Sequence, residues 1–121
     1  MGNSILYNLV SRGVQNPVLL ERTTLGAGST GRSSGAIRMH YSTTVNAALA
    51  WESLKTYENF DEVIGGDDVG FVRTGYMVFV PGNALDGLKH NIGLQQDVGI
   101  DTQIVSREDA RELAPAFQQY D

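Results

Sequence analysis

The sequence predicts an α/β fold, on three observations. Ile5, Leu6, Leu9 and Val10 fall at helical spacing and are followed, past Gly13, by the short apolar run Val18, Leu19, Leu20. Ala47, Ala50, Trp51, Leu54 and Tyr57 recur at threes and fours over a longer stretch. Two runs rich in β-branched and aromatic residues, 70–73 and 76–80, flank Thr74 and Gly75.

Taken in order, residues 4–12 read as a helix that Gly13 stops. Residues 18–20 suit a buried parallel strand, being short, wholly apolar and placed after a helix and turn. Residues 23–35, TTLGAGSTGRSSG, have no apolar period and four glycines, so they read as a loop with room for one helical turn. A helix is expected over 43–63, ended by Gly65 and Gly66. A hairpin is expected over 70–80, turning at Thr74 and Gly75. Asn83 is placed to cap a helix bearing Leu85, Leu88 and Ile92, and residues 102–105 read as a short strand. Ser106 then caps a last helix with acids in its first turn, stopped before Pro115. Trp51 and Tyr57 are expected in the core, His40 as a structural histidine, and Glu108, Asp109 and Glu112 as a charged helix face.

Charge and composition exclude several functions. Fourteen acids against nine bases give a net charge of −5. Such a chain lacks the basic field that displaces counterions from nucleic-acid phosphates. Cysteine is absent and the two histidines, His40 and His90, share no ligand spacing, so no metal site is expected. The longest apolar run, residues 76–80, is far short of a bilayer span, and no signal core follows Met1. Leu6 breaks a myristoylation pattern. A cytoplasmic protein with no membrane or nucleic-acid partner is expected.

Gly2, a helix, a turn, a strand and then Glu21 follow the order of the second half of a dinucleotide-binding unit. There the glycine admits a pyrophosphate to a helix N-terminus, and an acid about twenty residues on binds ribose hydroxyls. This pattern alone is weak, because one glycine and one acid recur by chance. It is extended by LGAGSTGRSSG (25–35), AIRMHYS (36–42), DVGFVRTGYMVFV (68–80) and VSREDARELAP (105–115). In these segments, and in order along the whole chain, the sequence resembles the FAD-dependent amine oxidoreductases of the D-amino-acid oxidase group. It looks closest to the sarcosine oxidase and sarcosine oxidase β-subunit-like branch.

The resemblance implies roles position by position. Gly2 stands as the last glycine of the phosphate fingerprint, Glu21 as the ribose-binding acid, and Arg22 beside the adenosine. Gly28, Ser29, Thr30, Gly31, Arg32, Ser33 and Ser34 match the loop that wraps the pyrophosphate and passes under the flavin. Arg38 matches an arginine that clamps the substrate carboxylate. Gly31 and Gly35 stand where single-chain sarcosine oxidases carry a histidine and a further arginine, a departure from that branch's flavin surroundings.

The resemblance thus implies a partial FAD-binding Rossmann-like unit at 1–42, lacking its first strand and first two glycines. The start of a mixed α+β substrate domain follows at 43–121. The whole enzyme would oxidise the C–N bond of a small amino acid, or of an N-methylated one such as sarcosine. FAD is expected in that enzyme and not in this stretch alone, which is expected to form a homo-oligomer through exposed edges. A second reading stays open: an inactive remnant, or a small partner-binding module without flavin.

Overall fold

The computed structural model describes residues 1–116, so the last five residues of the expected second domain lie outside the described ones. The chain divides into two units, Met1–Ala36 and Ile37–Asp121.

In the first unit, helix α1 (Gly2–Ser11) begins two residues earlier than its apolar period suggests. It ends as expected at Gly13, whose φ of 83° is the left-handed conformation that glycine adopts without strain. Gly13 N–H donates to the Val10 carbonyl at 2.9 Å and Val14 N–H to the Leu9 carbonyl at 3.0 Å. This pair of bonds is a Schellman closure, which satisfies two carbonyls the helix would otherwise leave bare. No residue of α1 is buried.

Residues 18–20 do not form the expected strand. They belong to no helix, and no strand occurs among the described residues to supply ladder partners. Leu19 turns toward α1: a Cβ built on Gly2 would lie 3.0 Å from Leu19 Cδ1. Val18 and Leu20 are 79% and 90% exposed. A lone segment can bury a side chain against a helix, but it cannot pair its backbone.

In the second unit, α2 (Thr44–Glu58) packs against α4 (Leu85–Asp97). The expected single helix over 43–63 breaks at Asn59, after which α3 (Phe60–Val63) makes one further turn. The Asn59 side-chain amide donates to the Lys55 carbonyl at 2.8 Å, competing with the helix for its own backbone acceptor. Gly65 and Gly66 follow with positive φ, as the sequence suggested.

Residues 70–80 form no hairpin ladder, and Gly70 and Gly75 take positive φ. The Asp68 side chain accepts the Gly70 N–H at 2.9 Å, and three side-chain contacts tie the segment elsewhere. Tyr57 and Phe71 lie with ring centroids 6.3 Å apart, Arg73 pairs with Glu58 at 2.8 Å, and Tyr76 lies against His40. Strand propensity here is spent on packing against α2 and residue 40, with no second strand in reach.

Asn83 does not cap α4. It sits inside a short 3₁₀ turn, Gly82–Ala84, and the capping position falls to Ala84 without a side-chain bond. At its other end α4 closes in the same way as α1. Gly99 N–H donates to the Gln96 carbonyl and Ile100 N–H to the Gln95 carbonyl, at 2.9 and 3.0 Å. Residues 102–105 do not form the expected strand; the Thr102 carbonyl accepts from Gln96 Nε2 at 2.7 Å. Helix α5 (Arg107–Leu113) carries the expected cap as a full capping box between Ser106 and Asp109.

The core of the described chain is small: Ala47, Leu54 and Ile100, with Gln95 as the buried polar residue. Trp51 is half-buried beside Gly99, with Lys55 Nζ 5.3 Å from its ring centroid. Tyr57, expected inside, is exposed except for its contact with Phe71. The α/β and α+β architectures are not realised among the described residues, which form helices joined by extended segments.

Candidate functional site

The residues expected to hold a cofactor all lie in the first unit. Gly2 opens α1, whose capping residue Met1 contributes no side-chain bond. The first turn therefore keeps exposed backbone N–H groups at the positive end of the helix dipole.

Glu21 is exposed and locally oriented. Its Oε1 accepts the Thr23 backbone N–H at 2.8 Å and the Thr23 hydroxyl at 3.1 Å. These bonds, the backbone one first, hold the carboxyl below its ordinary value and keep it ionised. The Arg22 backbone N–H adds a smaller contribution in the same direction. Arg22 is exposed beside it.

The loop from Leu25 to Gly35 folds on itself. Gly31 N–H donates to the Gly26 carbonyl at 2.9 Å, and a Cβ on Gly31 would fall well inside van der Waals contact with that oxygen. Residue 31 must therefore be glycine for this loop to close. A 3₁₀ turn, Thr30–Arg32, follows as the sequence allowed. Ala27, Arg32 and Ser33 use their N–H groups in short turns, and Gly35 N–H donates to Ser33 Oγ at 3.1 Å. The N–H groups of Gly28, Ser29 and Thr30 stay outside these bonds, as do the hydroxyls of Ser29, Thr30 and Ser34 and the guanidinium of Arg32. Backbone N–H groups, hydroxyls and a guanidinium left outside internal bonds are the donor types that can bind an anion.

Arg38 lies in the second unit, within a cluster that the sequence did not disclose. The guanidinium is exposed and held above its ordinary value, first by its hydrogen bond to the Tyr76 side chain, then by further attraction to Tyr76 and Tyr41. No carboxylate among the described residues pairs with it. The Tyr76 ring also lies against His40, centroids 4.7 Å apart and tilted by 52°. His40 is half-buried, as a structural histidine would be, but its Nδ1 is buried with no partner. Burial, and then the Arg38 charge, hold its imidazole below the ordinary value.

Tyr41 joins this cluster to a groove. It lines an open cavity of about 330 Å³ together with Asn46, Leu49, Ala50 and Ser53. Its main chain makes a three-residue turn, Tyr41 N–H to the Met39 carbonyl at 2.8 Å. Its own carbonyl accepts from Gln95 Nε2 at 3.2 Å, far along the chain. Tyr41 and Tyr76 lie in segments that carry the resemblance but were given no role there, and Gln95 lies in none of those segments.

Comparison with known proteins bears on the family of the chain. The FAD dependent oxidoreductase family matches residues 1–121. The chain is 32% identical, over its whole length, to the mitochondrial pyruvate dehydrogenase phosphatase regulatory subunit of Mus musculus, covering 14% of that protein. It is 28% identical over 95% of its length to the formaldehyde-forming 4-methylaminobutanoate oxidase of Paenarthrobacter nicotinovorans, covering 14% of it. The same identity and share of the chain hold for the mitochondrial dimethylglycine dehydrogenase of Rattus norvegicus, of which 13% is covered. The chain thus spans about one seventh of the length of the curated relatives it matches. No solved structure matches it.

Proposed function

The chain belongs to the FAD dependent oxidoreductase family, whose FAD-binding domain is Rossmann-like, and on that premise we propose that it serves an enzyme oxidising the C–N bond of an amino acid or N-methylated amino acid. The observation that carries this reading is the unpaired charge of Arg38. An exposed guanidinium with no carboxylate paired to it among the described residues suits a ligand that brings its own carboxylate. Sarcosine and dimethylglycine are such ligands, and two of the relatives are named for oxidising methylated amino acids.

The first unit fits FAD in three respects. The loop around Gly31 is closed too tightly for any side chain, the N–H groups of Gly28, Ser29 and Thr30 stay outside its internal bonds, and Glu21 presents an exposed carboxylate held below its ordinary value. In this reading Gly2 and the segment Gly28 to Ser34 hold the pyrophosphate, with Arg32 supplying charge, and Glu21 and Arg22 hold the adenosine end. Bound FAD supplies the two-electron acceptor, and the oxidised substrate leaves as an imine that water hydrolyses. The chain's own part is to fix the substrate: Arg38 grips the carboxylate, and Tyr41 and Tyr76 hold the guanidinium in place.

One observation favours a second reading. A relative at 32% identity is named as a regulatory subunit. In that reading the FAD domain is kept as a scaffold for a partner and turns nothing over. Assay of the purified protein with sarcosine, dimethylglycine and the matching methylamines, using a dye acceptor, separates the two. Turnover of the amino acids, with Arg38→Met raising KM for them and not for the amines, is expected. A colourless protein without turnover would favour the regulatory reading.

A further inference from the structure

No residue of the first unit, Met1–Ala36, is buried, and only Leu6 and Pro17 are even half-buried. A unit of this length without a core needs support from a disulfide, a metal or another chain. The protein has no cysteine, and no group of metal-ligating side chains occurs among the described residues. What remains is contact from outside the unit.

Residues 18–20 show what kind of contact fits. Among the described residues, no main-chain N–H or carbonyl of Val18, Leu19 or Leu20 takes part in a hydrogen bond. Val18 and Leu20 are 79% and 90% exposed, while Leu19 turns toward Gly2 of α1. In a strand, positions 18 and 20 share one face and position 19 the other. A strand added here would therefore pair the open backbone and leave Leu19 on its helix. Two strands alone are marginal, but two such copies would each bring α1 as backing.

We propose that residues 18–20 are a self-association edge, which a second copy of the chain joins antiparallel, Leu19 opposite Leu19 and Val18 opposite Leu20. The flanking residues select this partner and register. Antiparallel pairing about Leu19 sets Glu21 opposite Pro17, so no like charges face each other. Parallel pairing in register would set Glu21 beside Glu21 and Arg22 beside Arg22. With Val18 and Leu20 as the hydrogen-bonded pairs, all four cross-chain bonds form and Pro17 falls where no N–H is required. The outer edge of each strand then presents Pro17, Leu19 and Glu21. A missing donor and a charge blunt that edge, so the assembly closes as a pair.

Sedimentation of the full chain over a range of concentrations tests the pairing, and the absence of native cysteine allows its register to be read by single substitutions. The mass is expected to rise from 13.1 kDa toward twice that value. Leu20→Pro keeps an apolar side chain and removes one cross-chain donor from each copy. It breaks no bond within its own chain, so the α1 amide resonances should hold while the dimer dissociation constant rises about tenfold or more. On oxidation Leu19→Cys should link two chains, because the two Cα atoms lie about 4.5 Å apart in this register. Val18→Cys and Leu20→Cys should not, their like positions being about 8 Å apart. A monomer at every concentration, an assembly that grows past two copies, or a dimer unaffected by Leu20→Pro overturns the proposal. Equal linking at positions 18, 19 and 20 overturns the antiparallel register.

Discussion

The Tyr76 ring lies 4.7 Å, centroid to centroid, from His40, and the same side chain is the foremost influence holding the Arg38 guanidinium above its ordinary value. One phenol thus acts on both the cation and the imidazole. Neutral partners orient a guanidinium without cancelling its field, as a site for an incoming anion requires.

Tyr76→Phe should therefore behave differently from Arg38→Met. Removing the phenol oxygen keeps the ring against His40 but releases one bond to Arg38. Sarcosine binding should weaken by roughly tenfold or less, whereas loss of the guanidinium should weaken it by about tenfold to a hundredfold, the span of a charge-assisted pair. Calorimetric titration of both variants checks the order; equal losses would place Tyr76 itself on the ligand.

His40 makes stability depend on pH. Burial, reinforced by the Arg38 charge, depresses its folded-state pKa below the ordinary value of 6.5. Between that depressed value and about 6.5, the unfolded chain binds more protons at this position than the folded one. The His40 contribution is therefore fully favourable above the ordinary imidazole range. It is lost as pH falls toward the folded-state value. Urea midpoints measured from about pH 8 down to about pH 5 should decline, and His40→Gln should flatten that decline. An unchanged slope in the variant would remove His40 as its source.

Sequence reading succeeded where a signal is complete within a few residues and failed where a partner must come from afar. The stop at Gly13 and the box at Ser106 are closed by neighbours, so their residue types were sufficient. Residues 18–20 and 70–80 have strand composition, but a strand also needs a second segment, and no local pattern supplies one. Asn59 has the composition of a helix breaker, yet the expected helix ran past the last periodic residue, Tyr57, to the stop at Gly65 and Gly66 and so missed the break. The loop glycines marked a close approach, and Gly31 shows one, against Gly26. The Arg38 cluster was half legible: resemblance pointed to the arginine, whereas Tyr41 and Gln95 meet only across 54 positions.

The cap on α5 gives a local stability test. Ser106 Oγ accepts the Asp109 N–H at 3.0 Å, and the Asp109 carboxylate accepts the Ser106 N–H at 3.2 Å and its hydroxyl at 2.8 Å. These bonds also hold the Asp109 carboxyl below its ordinary value, the side-chain bond first. Ser106→Ala should destabilise the helix by about 1 kcal/mol, the usual loss for such a cap. Hydrogen exchange of the Asp109 and Ala110 amides reads this directly; unchanged protection would mean that α5 is held by packing.

The loop glycines allow a sharper comparison, since two of them differ only in what surrounds them. At Gly28 a built Cβ meets nothing within 4 Å, and at Gly31 it collides with the Gly26 carbonyl oxygen. That oxygen is backbone, fixed by the bond it accepts from Gly31 N–H, so it cannot swing aside as a side chain would. Alanine at 31 must push residues 26 and 31 apart, break their hydrogen bond and carry the donors of Ser29 and Thr30 with them. Alanine at 28 leaves that closure intact. Amide shifts across residues 26–33 should therefore move broadly in Gly31→Ala and only next to the substitution in Gly28→Ala. FAD retention should fall in parallel, by about tenfold or more for Gly31→Ala, which is ~1.4 kcal/mol. If Gly31→Ala keeps both the parent shifts and the parent flavin affinity, the loop does not close through Gly26 and its N–H groups are not the phosphate donors. If the shifts move and flavin retention does not, the loop is as described but the cofactor is held elsewhere.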